Sequence, residues 1–350
     1  MNNVKLYSLQ AGRGIAAILV VFYHASSTIF HNPKFFPEVI FNRFFNFGHS
    51  GVIFFFVLSG FIILSAHLTD IGRPDRLRNY TFKRFVRVYP VYWTIIFPIS
   101  IVYFLRPEIS NPELTSHSVI ANSFLLFGSN SRASLAVAWT LFHEILFYAA
   151  FAVLILHRSI GTIVMAGWFL SCGIAAILGF DTSYHLSYMN LFFLLGMACF
   201  VITSRTSVKN PMPIAILGIM AFFGVGMIEV FGPPVAPQLL AIGYGLSAAV
   251  GIVGVVTYEK GRNIRFPTWV TLVGDASYSI YLVHYPALSV ITRIWIKIFG
   301  NDRFPAAINF VAIVGAAVIA GVIFHIVVEK PLISLIYKMQ SRFRQAPVMV

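Results

Sequence analysis

The chain has 350 residues, of which 58% are hydrophobic and only 11% charged, and its 25 Lys and Arg against 12 Asp and Glu give a formal net charge of +13. A soluble domain is about 25% charged, so this composition excludes an ordinary soluble fold and describes a multi-span membrane protein. In so apolar a chain the positive charge reads as a topology signal rather than as a nucleic-acid footprint.

The opening MNNVKLYSLQAGR has no cleavable-signal organisation, so the first apolar segment is expected to remain as a span. A bilayer core of ~30 Å needs about 20 apolar residues in helix. Ten segments meet this, near 12–30, 50–67, 89–105, 137–156, 159–179, 187–203, 212–231, 238–257, 270–298 and 304–328. They predict an all-α polytopic membrane protein of about ten transmembrane helices. With the N-terminus inside, 18 Lys and Arg fall on the cytoplasmic side. The other 7 are Lys34, Arg43, Arg106, Arg132, Arg293, Lys297 and Arg303. That asymmetry places both termini in the cytoplasm. Residues 1–350 read as a single membrane domain, with a basic cytoplasmic tail over 336–350. Cys172 and Cys199 lie in apolar stretches and suggest neither disulfides nor a metal site.

Ionisable groups inside spans are expensive and mark functional paths by default. In RGIAAILVVFYH (13–24), His24 lies roughly 18 Å from the cytoplasmic edge, counting ~1.5 Å per residue from Gly12. Glu144, in AWTLFHEILFY, sits about 10 Å below the outer edge on a helix of opposite direction, so the two depths agree. An imidazole raised in basicity by a carboxylate is a good general base near neutral pH. The alternative is a buried His satisfied by a backbone carbonyl, with Glu144 paired elsewhere. Ser59-Gly60, in FFVLSGFII, reads as a small pair that allows close helix approach, unless a ligand passes there. His143 points about 100° away from Glu144 and is given no role.

YTFKRFVRVYP (80–90) puts Arg84 and Arg87 on one helical face with Lys83 beside them. It reads either as an anchor for anionic headgroups or as a guanidinium clamp for phosphates. GDASYSIYLVH (274–284) places Asp275 in the same inner layer as Arg13 and Glu329. An ion pair of Arg13 with one of these carboxylates is the structural expectation. Tyr278 and Tyr281 can line one groove, His284 falls in the outer half, and His325 and Glu329 are one turn apart.

In this order, these pieces resemble the acyltransferase-3 family of integral membrane O-acyltransferases. The features are Arg13 with ten residues before His24, Ser59-Gly60, Arg84-x-x-Arg87-x-x-Pro90, WTLFHEILFY around Glu144, GDASYSIYLVH, and EKP at 329–331. The resemblance runs over about 5–335 and is of the stand-alone type, with Thr140 where many members have Ser.

The resemblance implies an enzyme of the bacterial cytoplasmic (inner) membrane. It would take an acyl group, usually acetyl, from cytoplasmic acyl-CoA and place it on a hydroxyl of a cell-surface or secreted carbohydrate, free or lipid-linked. His24 would be the catalytic base, Arg13 its motif partner and Glu144 the supporting acid. Arg84 and Arg87 would serve the donor side, with Lys83, Ser59 and Tyr278 near it; acetyl-CoA enters as a substrate and no metal or bound cofactor is expected. An acyl-imidazole on His24 is the mechanistic alternative. Two other classes fit the same residues. One is a proton-coupled transporter using His24 and Glu144 as a relay. The other is a non-catalytic export component that uses them only for packing.

Overall fold

The structure is a computed structural model and describes residues 6–36, 41, 44–106, 123–127, 134–180, 183–206, 208–260, 262, 264 and 266–345. Lys5, Arg43, Arg132 and Arg265, which entered the charge asymmetry, lie outside the described residues, as does the end of the tail from 346.

In hydrocarbon every backbone N–H and C=O must be satisfied within its own segment, and long apolar runs therefore close into helices. Twelve α-helices are described: α1 (Tyr7–His24), α2 (Gly51–His67), α3 (Leu77–Leu105), α4 (Trp139–Leu156), α5 (Arg158–Leu178), α6 (Leu191–Arg205), α7 (Met212–Phe231), α8 (Pro237–Glu259), α9 (Thr268–Asp275), α10 (Ser277–Phe299), α11 (Ala306–Phe324) and α12 (Lys330–Gln345). Among the described residues there is no strand. Ten helical stretches among the described residues are long and apolar enough to cross a membrane. The ten expected segments each fall on one of them.

Three boundaries differ from the expected ones. The basic stretch 80–90 is continuous with the third span, so α3 runs 29 residues and carries its arginines on the same rod as its apolar half. The ninth segment is broken: α9 ends at Asp275, Ala276 caps it, and α10 starts at Ser277. The tenth passes through a π-helical turn, His325–Glu329, into α12, so the basic tail is helical through Gln345. A second π-helical turn, Ala25–Phe30, follows directly on His24. Such π turns frequently occur at functional sites.

The interior is built from two apolar clusters. The larger joins α2, α3, α4, α6 and α8 through Phe56, Tyr92, Phe147, Phe193 and Tyr244. The smaller joins α1, α10 and α11 through Val21, Phe30, Ile280 and Phe310. Phe147 and Phe193 stack at 4.5 Å between α4 and α6. Large apolar side chains such as Ile163, Ile177, Leu217 and Met220 face outward, as lipid contact requires. The seam between α2 and α6 is set by two glycines: a Cβ on Gly60 would meet the Phe193 carbonyl, and one on Gly196 the Val57 carbonyl. That approach turns Gly60 to the seam, while neighbouring Ser59 faces the space between the two clusters.

Candidate functional site

That space is a cavity of about 130 Å³ whose polar lining includes Arg13, Ser59, Arg84, Arg87, Glu144 and Tyr278. Six of the eight residues expected at the site therefore share one wall. The other two do not line it. Lys83 is exposed, because its position on α3 is about 100° around the helix from Arg84. His24 lies beyond the cavity, past Tyr281.

The three arginines are held differently. Arg87 donates to the Glu329 carboxylate at 3.2 Å and lies over the Tyr278 ring, 5.0 Å from its centroid. Glu329 is 2% exposed and also accepts from Ser279 at 2.6 Å and sits 2.6 Å from His325 Nδ1. The π turn puts His325 and Glu329 on one side, so a single buried carboxylate organises α3, α10 and α11 around it. Arg13 does not pair with Asp275 or Glu329 as expected. It donates from Nε to Ser277 Oγ at 3.1 Å. Arg84 lies 5.7 Å from the Tyr148 ring centroid, and its buried Nε has no hydrogen-bond partner. A buried guanidinium N–H without a partner is costly, so this one is poised for an anion supplied from outside the chain.

Glu144 accepts a hydrogen bond from Tyr148 one turn along α4, and does not bond His24. The matching residue counts along the two helices do not bring the groups together: His24 bonds His284 and the Val20 carbonyl. Thr140 and Tyr281 bond hydroxyl to hydroxyl at 2.9 Å, and Tyr281 donates to the Val137 carbonyl at 3.0 Å. The Tyr281 ring lies 5.9 Å from the His284 ring and 6.0 Å from Phe55, and so forms the wall between the cavity and the histidine layer.

In that layer His24 meets His284, the residue that reasoning from depth had passed over. His284 Nδ1 lies 3.1 Å from the Ile280 carbonyl, which can only accept, so Nδ1 carries the proton and Nε2 the lone pair. His284 Nε2 is 3.1 Å from His24 Nδ1, which also lies 3.0 Å from the Val20 carbonyl. Two acceptors thus face His24 Nδ1, which makes it the protonated nitrogen and leaves the lone pair on Nε2. His284 is fully buried, whereas His24 is part-exposed between the rings of Tyr23 and Tyr285. A neutral imidazole with a free, accessible Nε2 and a fixed tautomer is a proton acceptor ready to work. His143, given no role, is a packing residue: its Nδ1 bonds Asn190 Oδ1 at 2.9 Å. Among the described residues no group of His, Cys, Asp and Glu has metal-binding geometry.

An arginine-lined cavity next to a histidine pair, within a bundle of long apolar helices, describes a multi-pass membrane protein with a polar interior site. The chain belongs to the acyltransferase-3 family, whose model, described as an acyltransferase domain, matches residues 6–326. It is 31% identical over 303 residues, covering 83% of this chain and 90% of the relative, to the exopolysaccharide production protein ExoZ of Rhizobium meliloti (strain 1021). No solved structure matches the chain.

Proposed function

We propose that the protein is an O-acyltransferase of the bacterial cytoplasmic membrane. It moves an acyl group, acetyl in its simplest form, from cytoplasmic acyl-CoA to a hydroxyl of a cell-surface or secreted carbohydrate. Support comes from membership of the acyltransferase family and from likeness to a protein of exopolysaccharide production. The observation that carries the reading is Arg84, whose buried Nε has no hydrogen-bond partner, in a cavity that ends at Tyr281, one ring short of the histidine pair.

The positive-inside asymmetry sets the end bearing Arg84 and Arg87 in the cytoplasm, together with both termini. Arg84 and Arg87 hold the donor phosphates, and Lys83 adds charge at the exposed mouth. Arg13 extends the positive lining inward, and Ser59 and Tyr278 shape the path of the acyl arm. Beyond Tyr281, His24 Nε2 takes the proton of the acceptor hydroxyl as its oxygen attacks the thioester carbonyl carbon. The resulting imidazolium is stabilised because its Nδ1–H faces the Val20 carbonyl and the His284 Nε2 lone pair. Collapse of the tetrahedral adduct breaks the C–S bond, and the departing sulfur receives the proton from His24 Nε2. Glu144 does not touch His24 and acts instead on the donor side, keeping Tyr148 against Arg84.

A proton relay between His24 and Glu144 would require a connection, and their hydrogen bonds run to His284 and Tyr148 instead. The transporter reading therefore lacks its wire. The test is thiol release from acetyl-CoA by the purified protein in detergent. Release abolished in His24→Ala, with donor KM raised in the Arg84→Ala, Arg87→Ala double variant, supports the reading. No release by the wild type, with or without a glycan extract, overturns it. A trapped acyl-enzyme lost in His24→Ala would replace direct transfer with an acyl-imidazole.

A further inference from the structure

On the side of His24 away from the arginine cavity, four helices bring together polar groups that donor chemistry does not use. Tyr23 ends α1 beside His24, their rings 4.9 Å apart. His49 lies just ahead of α2, its ring 5.8 Å from Tyr23 and 5.9 Å from Tyr244. Glu229, two residues from the end of α7, receives His49 Nε2 on Oε1 at 2.9 Å and the Tyr244 hydroxyl on Oε2 at 2.5 Å. All of these chain positions are at the end of the bundle opposite Arg84.

We infer that His49, Glu229 and the Tyr23 ring form the acceptor subsite, and that its ligand is a neutral carbohydrate presenting adjacent hydroxyls. The inference rests on the reading of the protein as a carbohydrate acyltransferase and names the part of the site that holds the sugar.

Three features support it. An ionised carboxylate offers about four lone-pair positions, of which His49 and Tyr244 fill two; the others can each accept from a hydroxyl, and adjacent sugar hydroxyls match two oxygens of one carboxylate. The site is reachable, since the His49 side chain is 39% exposed and that of Glu229 15%. A carboxylate on an otherwise apolar helix end, with neither Lys nor Arg on it, costs stability that packing alone does not return. The third feature is placement. Tyr23 touches both His49 and His24, so a ring lying on its face, with two hydroxyls on Glu229, brings a further hydroxyl towards His24 Nε2. Aromatic faces accept the apolar C–H face of a sugar in this manner.

The test is sugar binding by the whole protein in micelles of a detergent without a sugar headgroup. Methyl β-D-glucopyranoside and methyl β-D-galactopyranoside are the probes, and NMR saturation transfer is the readout. The wild type is expected to saturate the ring protons of at least one glycoside. Tenfold or greater weakening is expected in Glu229→Gln and in Tyr23→Ala, and none in Arg84→Ala. Thermal unfolding identifies a variant that does not fold; should Glu229→Gln be one, Tyr23→Ala decides. No saturation by the wild type, or binding unchanged in folded variants, overturns the inference. A protein that binds glycosides through Glu229 but releases no thiol fails the acyltransferase reading while keeping the sugar site. One that releases thiol while its glycoside binding ignores Glu229 fails this inference alone.

Discussion

His284 Nε2 stands 3.1 Å from His24 Nδ1 and, with the Val20 carbonyl at 3.0 Å, gives that nitrogen two acceptors, so the lone pair of His24 lies on Nε2. Replacing His284 by Ala removes one of the two acceptors that hold the His24 ring and would stabilise its imidazolium, leaving the Val20 carbonyl. With the base itself still present, we expect turnover to fall about 10- to 100-fold, the worth of one hydrogen bond to a charged group, with donor KM nearly unchanged. His284→Gln, which can still offer an acceptor, should recover part of the loss. Steady-state thiol release checks this, and turnover within twofold of wild type in His284→Ala would sink it.

Arg84 and Lys83 are neighbours with opposite fates, one facing the cavity and one exposed. A charge-assisted bond to phosphate contributes about 1.5–3 kcal/mol, so Arg84→Ala should raise donor KM by roughly 10- to 100-fold. Arg84→Lys should restore little, because an ammonium cannot reproduce the planar fork. Lys83→Ala should stay close to wild type; equal effects at the two positions would assign the whole stretch to lipid anchoring.

Glu329 binds Arg87, Ser279 and His325 from a buried position. Glu329→Ala leaves those three groups facing nothing. Breaking a buried pair costs about 3–5 kcal/mol, and the low end applies here because the Arg87 side chain is 32% exposed. A lower thermal midpoint in detergent, together with a raised donor KM as Arg87 loosens, is the expected result. A raised KM with unchanged stability would mean that the carboxylate acts on the donor rather than on the fold.

The ten spans were legible because hydrocarbon thickness imposes a length that composition alone reveals. Counting residues set His24 beyond the midplane and left His284 in the outer half, and the structure brings the two rings together. What the count lacks is azimuth. A rise of ~1.5 Å per residue says how deep a group lies and nothing about which neighbour its helix faces. Glu144 matched His24 by that count but belongs to the α4 wall with Tyr148, whereas α10 packs against α1 and delivers His284. The break at Ala276 was hidden for a similar reason, since GDASYS is as compatible with continuous helix as with a cap. Arg84 and Arg87 were placed together because a three-residue spacing fixes azimuth within one helix.

Gly196 faces the Val57 carbonyl across the seam of α2 and α6. Gly196→Ala forces those backbones apart, and overpacking of this kind costs about 1–3 kcal/mol. The same displacement moves Ser59 on the cavity wall, so lower thermal stability and weaker donor binding should appear together. A variant with wild-type stability would show that the seam can open without strain.

Tyr281 divides the arginine cavity from the histidine layer, and this has an electrical consequence for the proposed reaction. The acyl group passes outward past Tyr281 as the equivalent of a cation, while the hydroxyl proton passes inward through His24 to the departing sulfur. One positive equivalent crosses in each direction, so no net charge traverses the bilayer in a turnover. The membrane potential, worth about 2.3 kcal/mol per charge at 100 mV, therefore neither drives the modification nor opposes it. The free-energy difference between the thioester and the product ester, with the concentrations of the reactants, sets how far the proposed acylation proceeds, in an energised cell and a de-energised one alike.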